Sequence, residues 1–150
     1  MYRIEKAVLT KSLMSELIAL SQIWRDEAIS YGIVSNTKKD FVGKDIYVAY
    51  NNRNKVIGYL LCSFFIENKQ TPTIPKNSEV CYVDELYVLK NYRNKGIGTL
   101  LFNKMNDDIK DKCDYIEVCT STKDYEKIIH FYKDILGLNF WSAMFFTKIK

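Results

Sequence analysis

The chain has little histidine and proline for its length. It contains one histidine, His130, and two prolines in 150 residues. A single histidine excludes a site with several histidine ligands, and the four cysteines lack the Cys-x-x-Cys spacing of a zinc site, so we expect no metal. Three of them fall in predicted strands, which favours buried free thiols and a reducing, cytoplasmic compartment. The cysteines are Cys62, Cys81, Cys113 and Cys119.

Long apolar runs and dense clusters of one charge are also missing. No stretch of about 18 apolar residues predicts a membrane-spanning helix, and the first residues lack the apolar centre of a signal peptide. The net charge is +4, with 22 basic and 18 acidic residues, but the longest basic run is Lys38-Lys39. This scattered pattern does not predict a nucleic-acid interface.

What the chain does have is an apolar content of 47%, enough for the core of one soluble domain spanning residues 1–150. Its most informative segment is a strand-like run ending near Val88, followed by a loop with Gly96 and Gly98. Apolar residues then recur at helical spacing, at Ile97, Leu100, Leu101, Met105 and Ile109. The first N–H groups of a helix lack internal partners, so this junction predicts an anion site that suits a phosphate or pyrophosphate.

The spacing of the glycines narrows the kind of phosphate site. A P-loop would require Gly-x-x-x-x-Gly-Lys-Ser/Thr, and a dinucleotide fingerprint would require a glycine where Leu101 stands. The remaining pattern, Arg93-x-x-Gly96-x-Gly98 after a strand, resembles the acetyl-CoA signature of the GNAT family of N-acetyltransferases. The resemblance implies acetyl-CoA as co-substrate. It also implies that main-chain groups of Leu86, Tyr87 and Val88 hold the pantetheine arm, and that the pyrophosphate lies against Arg93, Asn94, Lys95, Gly96, Ile97, Gly98 and Thr99.

The order of predicted elements extends the resemblance over nearly the whole chain. Periodicity predicts, in sequence order, a strand in 2–9, a helix from 11 to about 31, a short helix within 33–44, a hairpin of 45–50 and 56–65, a loop over 67–79, a strand in 80–89, a helix to about 110, a strand in 114–120, a helix to about 135 and one or two strands from 138 onward. These elements predict a mixed α/β sheet. The GNAT fold implies a mostly antiparallel sheet with one splayed strand pair and helices on both faces.

Two adjacent carboxylates are the candidates for a general base. The family resemblance favours Asp84, which lies four positions before Val88, and Glu85 follows it. Successive strand side chains face opposite sides, so only one would normally reach the site. A β-bulge would exchange them. For each carboxylate, a purely structural hydrogen-bonding role is the alternative.

Tyr132 is the candidate general acid for the departing thiolate, because a phenol keeps its proton at neutral pH. The family implies this role for a tyrosine late in the last helix. This chain departs from the pattern: the interval to Gly137 is one residue longer, Leu138 replaces a phenylalanine, and Tyr125 replaces an asparagine. His130 should point away from Tyr132 on a helix, which does not favour a catalytic role.

Trp24, Glu27 and Tyr31 share one helical face. The family resemblance implies that the first helices help to form the acceptor pocket, so these three residues are the candidates for binding the acceptor. An aromatic pair with a carboxylate suits a cationic amine, although core packing of Trp24 and solvent exposure of Glu27 are alternatives.

The sequence therefore predicts an enzyme that transfers acetyl from acetyl-CoA, by direct attack, to a primary amine of a small molecule. The amine would belong to a polyamine, an aminoglycoside-like compound or an amino-acid derivative. A peptide or protein acceptor, or a non-catalytic acyl-CoA sensor, is the alternative. The aromatic C-terminal strands would suit pairing in a homodimer.

Overall fold

The computed structural model describes residues 1–149, which form a five-stranded sheet with helices on both faces. The strands are β1 (Arg3–Lys6), β2 (Asp45–Tyr50), β3 (Val56–Ile66), β4 (Glu79–Val88) and β5 (Tyr115–Val118). The helices are α1 (Lys11–Glu27), α2 (Ile97–Ile109) and α3 (Tyr125–Ile129), which continues as a wider π-helical segment, His130–Ile135. Short 3₁₀ turns span Lys38–Phe41 and Lys90–Tyr92. No helix among these residues is long and apolar enough to cross a membrane.

The strand order is β1-β2-β3-β4-β5. The first four strands pair antiparallel, whereas β5 runs parallel to β4. Pairing between β4 and β5 begins at Val80 and ends where Val83 meets Val118, yet β4 continues to Val88. The expected mixed sheet with a splayed strand pair is confirmed.

Two apolar layers hold the helices against the sheet. Leu13, Leu17 and Leu20 recur at the spacing of one helical face, and they pack α1 on one side. On the other side, α2 contributes Leu101, Met105 and other buried residues of the same helical face. Since the two apolar layers cover both faces of β2, β3 and β4, the centre of the sheet holds the open end of β4 in place.

Helix α1 ends earlier than its periodicity predicts. The Thr10 hydroxyl accepts from the Leu13 N–H at 3.1 Å and caps its start. The helix stops at Glu27, and Ala28 adopts a left-handed conformation with φ of 52°. The expectation of a helix to about Tyr31 is therefore wrong. Ser30 instead forms a bridge with Thr122, a long-range pairing that local apolar spacing does not encode.

The expected strands after Leu138 are also wrong within the described residues, because 138–149 contain no regular element. Trp141, Phe145 and Phe146 are more than half exposed. Aromatic composition gives strand propensity, but a strand also requires a neighbour to pair with. The ring of Phe146 instead contacts Tyr31 edge-on, with ring centroids 5.4 Å apart.

Candidate active site

The site begins where β4 separates from β5. The Leu89 N–H bonds to the Ile57 carbonyl of β3 at 2.9 Å. Main-chain groups of successive strand residues point to opposite edges, so those of Leu86 and Val88 face the side that β5 has left. The carbonyl of Tyr87 points the other way, so close to β3 that a Cβ on Gly58 would lie 2.8 Å from it. Leu86, with its main-chain N–H and carbonyl, and Val88, with its N–H alone because the Arg93 side chain donates to its carbonyl, thus supply an open strand edge that can pair with the amides of an extended ligand.

The signature loop presents a run of free donors beside this edge. Among residues 1–149, the main-chain N–H groups of 94–99 make no hydrogen bond, and the first bond of α2 joins the Leu100 N–H to the Gly96 carbonyl at 2.9 Å. Asn94 and Gly96 have φ of 59° and 75°, a backbone pattern that forms a concave nest for anions. A Cβ on Gly96 would meet nothing within 4 Å. The loop therefore has the donors and the room for a diphosphate.

The presence of glycine at position 98 has a different structural explanation from its presence at position 96. A Cβ at Gly98 would lie 3.2 Å from the ring of Phe131, so the missing side chain lets α2 and the π-helical segment approach closely. Sequence reasoning assigned this glycine to the phosphate alone. Only its N–H group remains available to an anion.

A β-bulge in β4 contains one of the two carboxylates and lies directly beside the other. Leu61 of β3 pairs with Glu85 and Cys62 pairs with Val83, so Asp84 is the extra residue. The strand alternation is thereby broken between Val83, on the α2 side, and Glu85, which contacts the α1 side. The bulge lies next to the last pair of the β4–β5 ladder. Both carboxylates therefore lie at the apex of the opening.

Asp84 carries one partnered and one free oxygen. Its Oδ1 lies 3.1 Å from the Lys44 Nζ, and its buried Oδ2 has no hydrogen-bond partner among residues 1–149. An unpartnered buried carboxylate oxygen is costly and is typical of a functional site. Lys44 had no distinguishing sequence signal, because nothing in the local pattern places it beside β4.

Glu85 is more firmly held. Its Oε2 accepts from the Tyr59 hydroxyl at 2.7 Å and from the Asn36 Nδ2 at 2.8 Å. Burial raises the pKa of this carboxyl, and the two hydrogen bonds offset part of the rise. Sequence reasoning missed Tyr59 and Asn36, since their contacts with Glu85 join residues far apart in the chain.

Tyr132 lies in the π-helical segment. The Phe131 carbonyl accepts from the Leu136 N–H five residues ahead, at 3.0 Å, a wide turn that accommodates one residue more than an α-turn. The longer interval between Tyr132 and Gly137 is thus absorbed locally. Burial raises the pKa of the Tyr132 phenol above its ordinary value, so the phenol is protonated at neutral pH.

The three acceptor-binding candidates do not form one pocket. The Trp24 ring stacks on Tyr87, with centroids 5.1 Å apart and planes at 19°. Glu27 accepts from the Tyr87 hydroxyl at 2.6 Å and forms an ion pair with Arg93 at 2.5 Å. Tyr31 lies beyond the end of α1 and is half exposed. Trp24 and Glu27 thus meet at β4, and Tyr31 is separate.

The sequence profile described as Acetyltransferase (GNAT) family matches residues 11–138. The match covers most of the chain, so the chain belongs to the GNAT acetyltransferase family. It is an acetyl-transferring enzyme, and the co-substrate of its family is acetyl-CoA. No curated protein sequence matches it.

Solved structures share its fold at low sequence identity. The tetramutant BH1408 protein from Bacillus halodurans is 18% identical with a TM-score of 0.74, over 98% of this chain and 99% of that one. An aminoglycoside acetyltransferase, meta-AAC0020, from an uncultured soil metagenomic sample is 17% identical with a TM-score of 0.68, over 99% and 97%. A Trypanosoma brucei acetyltransferase is 17% identical with a TM-score of 0.67, over 98% and 100%.

The raised pKa of Glu85 predicts how its replacement changes stability with pH. A folded-state pKa above the ordinary 4.5 means that the ionised form of Glu85 opposes folding. The stabilisation by the protonated carboxyl is fully present below pH 4.5 and is lost as pH rises through the folded-state pKa. We expect Glu85→Gln to gain melting temperature relative to wild type as pH rises above about 4.5, and to keep that gain above the folded-state pKa. Thermal melts measure this, with Glu16→Gln on the exposed face of α1 as the reference. A gain confined to the acidic end would contradict the assignment.

Proposed function

We propose that the chain acetylates a primary amine of a small cationic molecule with acetyl-CoA. The observation that carries this proposal is the pair of Asp84 and Lys44. Asp84, at the apex of the opening, already holds an alkylamine 3.1 Å from one oxygen and keeps its second oxygen free. An acceptor amine would take the place of Lys44. The aminoglycoside acetyltransferases among proteins of this fold support a small-molecule acceptor.

In this proposal, each part of the opening has one task. The diphosphate lies against the N–H groups of 94–99, and the pantetheine amides pair with the open edge at Leu86 and Val88. The thioester then lies near the bulge. Asp84 accepts a proton from the acceptor ammonium, and the neutral nitrogen attacks the thioester carbonyl. The new C–N bond forms as the C–S bond breaks, and the departing thiolate takes the phenolic proton of Tyr132. The nitrogen then loses its second proton, which restores the Tyr132 phenol and leaves the neutral amide.

A reducing, cytoplasmic environment is part of the proposal. The four cysteines, all inside the described residues, carry free thiols. Cys62 and Cys81 are fully buried in the apolar layer under α2, where a free cysteine acts as a small apolar residue.

Turnover with a panel of amines tests the function. We expect release of free CoA thiol, matched one to one by acetylated product, with a polyamine or an aminoglycoside, and much less with a lysine-containing peptide. Calorimetry with acetyl-CoA measures donor binding separately. Binding without turnover across the panel would favour the sensor alternative, and absence of binding by folded protein would reject the proposal.

Replacing the two carboxylates tests which one is the base. We expect Asp84→Asn to lower kcat by about 100-fold or more, within the usual range for loss of general-base catalysis, and Glu85→Gln to lower it by less than about tenfold, because an amide oxygen can still accept from Tyr59. Steady-state kinetics at saturating acetyl-CoA measure both. Lys44→Met is the matched control, and it should lower KM for the cationic acceptor by removing a competitor for Asp84. The reverse order of the two losses would assign the base to Glu85.

Tyr132→Phe tests the general acid. We expect kcat to fall by about 10²-fold or more, while the Kd for acetyl-CoA changes by less than about twofold, because the ring and its packing remain. Tyr125→Phe, at an exposed position on α3, is the control. An unchanged kcat in Tyr132→Phe would remove the phenol from the mechanism.

A further inference from the structure

The side chain of Arg93, the arginine of the signature, is turned away from the loop that it begins. Its Nη2 lies 2.5 Å from the Glu27 Oε2 at the end of α1, and its Nε donates to the Val88 carbonyl at 2.8 Å. The planar guanidinium is thus engaged on two sides. It links the last turn of α1 to the last residue of β4.

Glu27 is equally occupied. Its second oxygen, Oε1, accepts from the Tyr87 hydroxyl at 2.6 Å, and the guanidinium of Arg93 lies 5.4 Å from the centre of the Tyr87 ring. Trp24 covers the same ring from α1. The carboxylate side chain is 15% exposed, so water competes less for these bonds than at an open surface.

Lys95, the other cation of the signature, is also held within the loop. Its Nζ donates to the Asn91 carbonyl at 3.0 Å and lies 5.5 Å from the centre of the Tyr92 ring. The diphosphate therefore meets main-chain N–H groups first. Their direction depends on how the loop is fixed, and Arg93 is the residue immediately before the first of them, Asn94.

The end of α1 also reaches the opposite side of the opening. Just after Glu27 the chain turns, and the Tyr31 N–H donates to the Ser121 carbonyl at 2.8 Å in the loop that follows β5. Ser30 and Thr122 form a bridge there. One short segment of chain is therefore attached both to β4, through Glu27 and Tyr87, and to the loop that follows β5.

We propose that Glu27 is a positioning residue for the donor. By holding Arg93 at a fixed place, it fixes the start of the loop so that the N–H groups of 94–99 converge on the diphosphate. This inference rests on the proposed use of acetyl-CoA at the same site. Arg93 acts by bonding to Glu27 and to the Val88 carbonyl, and its charge is not free to bind the phosphate.

Two acetyl donors distinguish a positioning role of Glu27 from a general loss of structure. Acetyl-CoA carries the diphosphate, whereas S-acetylpantetheine carries the same thioester and arm without it. We expect Glu27→Gln to raise KM for acetyl-CoA about tenfold with kcat changed less than about twofold, the size expected for one partly exposed, charge-assisted hydrogen bond. Its kcat/KM with S-acetylpantetheine should equal that of wild type. Glu16→Gln, an exposed carboxylate on the same helix, is the matched control and should change neither donor.

Equal losses with both donors would overturn the inference, because they would show a structural effect without selectivity for the diphosphate. An unchanged KM for acetyl-CoA would overturn it as well. Calorimetry on wild type separates the two proposals: no binding of acetyl-CoA rejects the proposed function, whereas binding that is equally tight in Glu27→Gln rejects only the role of Glu27.

Arg93→Lys provides a second test that does not depend on the folding of the Glu27 variant. A lysine keeps the positive charge but cannot reach Glu27 and the Val88 carbonyl together. We expect it to raise KM for acetyl-CoA as much as Glu27→Gln does, again without loss on S-acetylpantetheine. Wild-type KM in Arg93→Lys would show that charge alone suffices and would overturn the inference.

Discussion

The hydrogen-bond ladder between β4 and β5 stops at Val83 and Val118, and the rest of the site depends on that interruption. Main-chain groups near a protein core require partners, and beyond Val83 the far edge of β4 has none from β5. The signature loop repeats this deficit, since its consecutive N–H groups donate to nothing among the described residues. In the proposed function, both sets bind the co-substrate, which offers amides along its arm and anionic oxygens at its end.

The bulge at Asp84 supplies the carboxylates of this opening, and the end of α1 connects its two sides. The bulge places two carboxylates beside the last strand pair, in different environments: Asp84 against Lys44, and Glu85 against Tyr59 and Asn36. The segment after Glu27 meets the loop beyond β5, while Glu27 itself binds Arg93. The signature loop, the open edge of β4 and the two carboxylates are therefore held by one connected set of contacts.

Much of the fold could be predicted from local patterns. The hairpin of β2 and β3, the strand–loop–helix around Gly96 and the helix after Asp124 follow from alternation, turn residues and helical spacing. The predictions failed where long-range pairing decides: α1 ends at Glu27 because Ala28 turns the chain toward Thr122, and the aromatic segment after Leu138 has strand propensity but no strand partner within the described residues. At the site, the sequence indicated Asp84, Glu85 and the glycine loop, but it could not indicate Lys44, Tyr59 or Asn36.

The sequence by itself determined the family, the glycine-containing loop before α2 and the types of residue at the opening, because these depend on short-range spacing and backbone conformation. Only the tertiary structure decided which partner each side chain has. It showed that Gly98 makes room for Phe131, that Asp84 lies outside the strand alternation, and that Arg93 pairs with a helix far away in the chain. The physical reason is that such contacts depend on how whole elements pack, which no local pattern records.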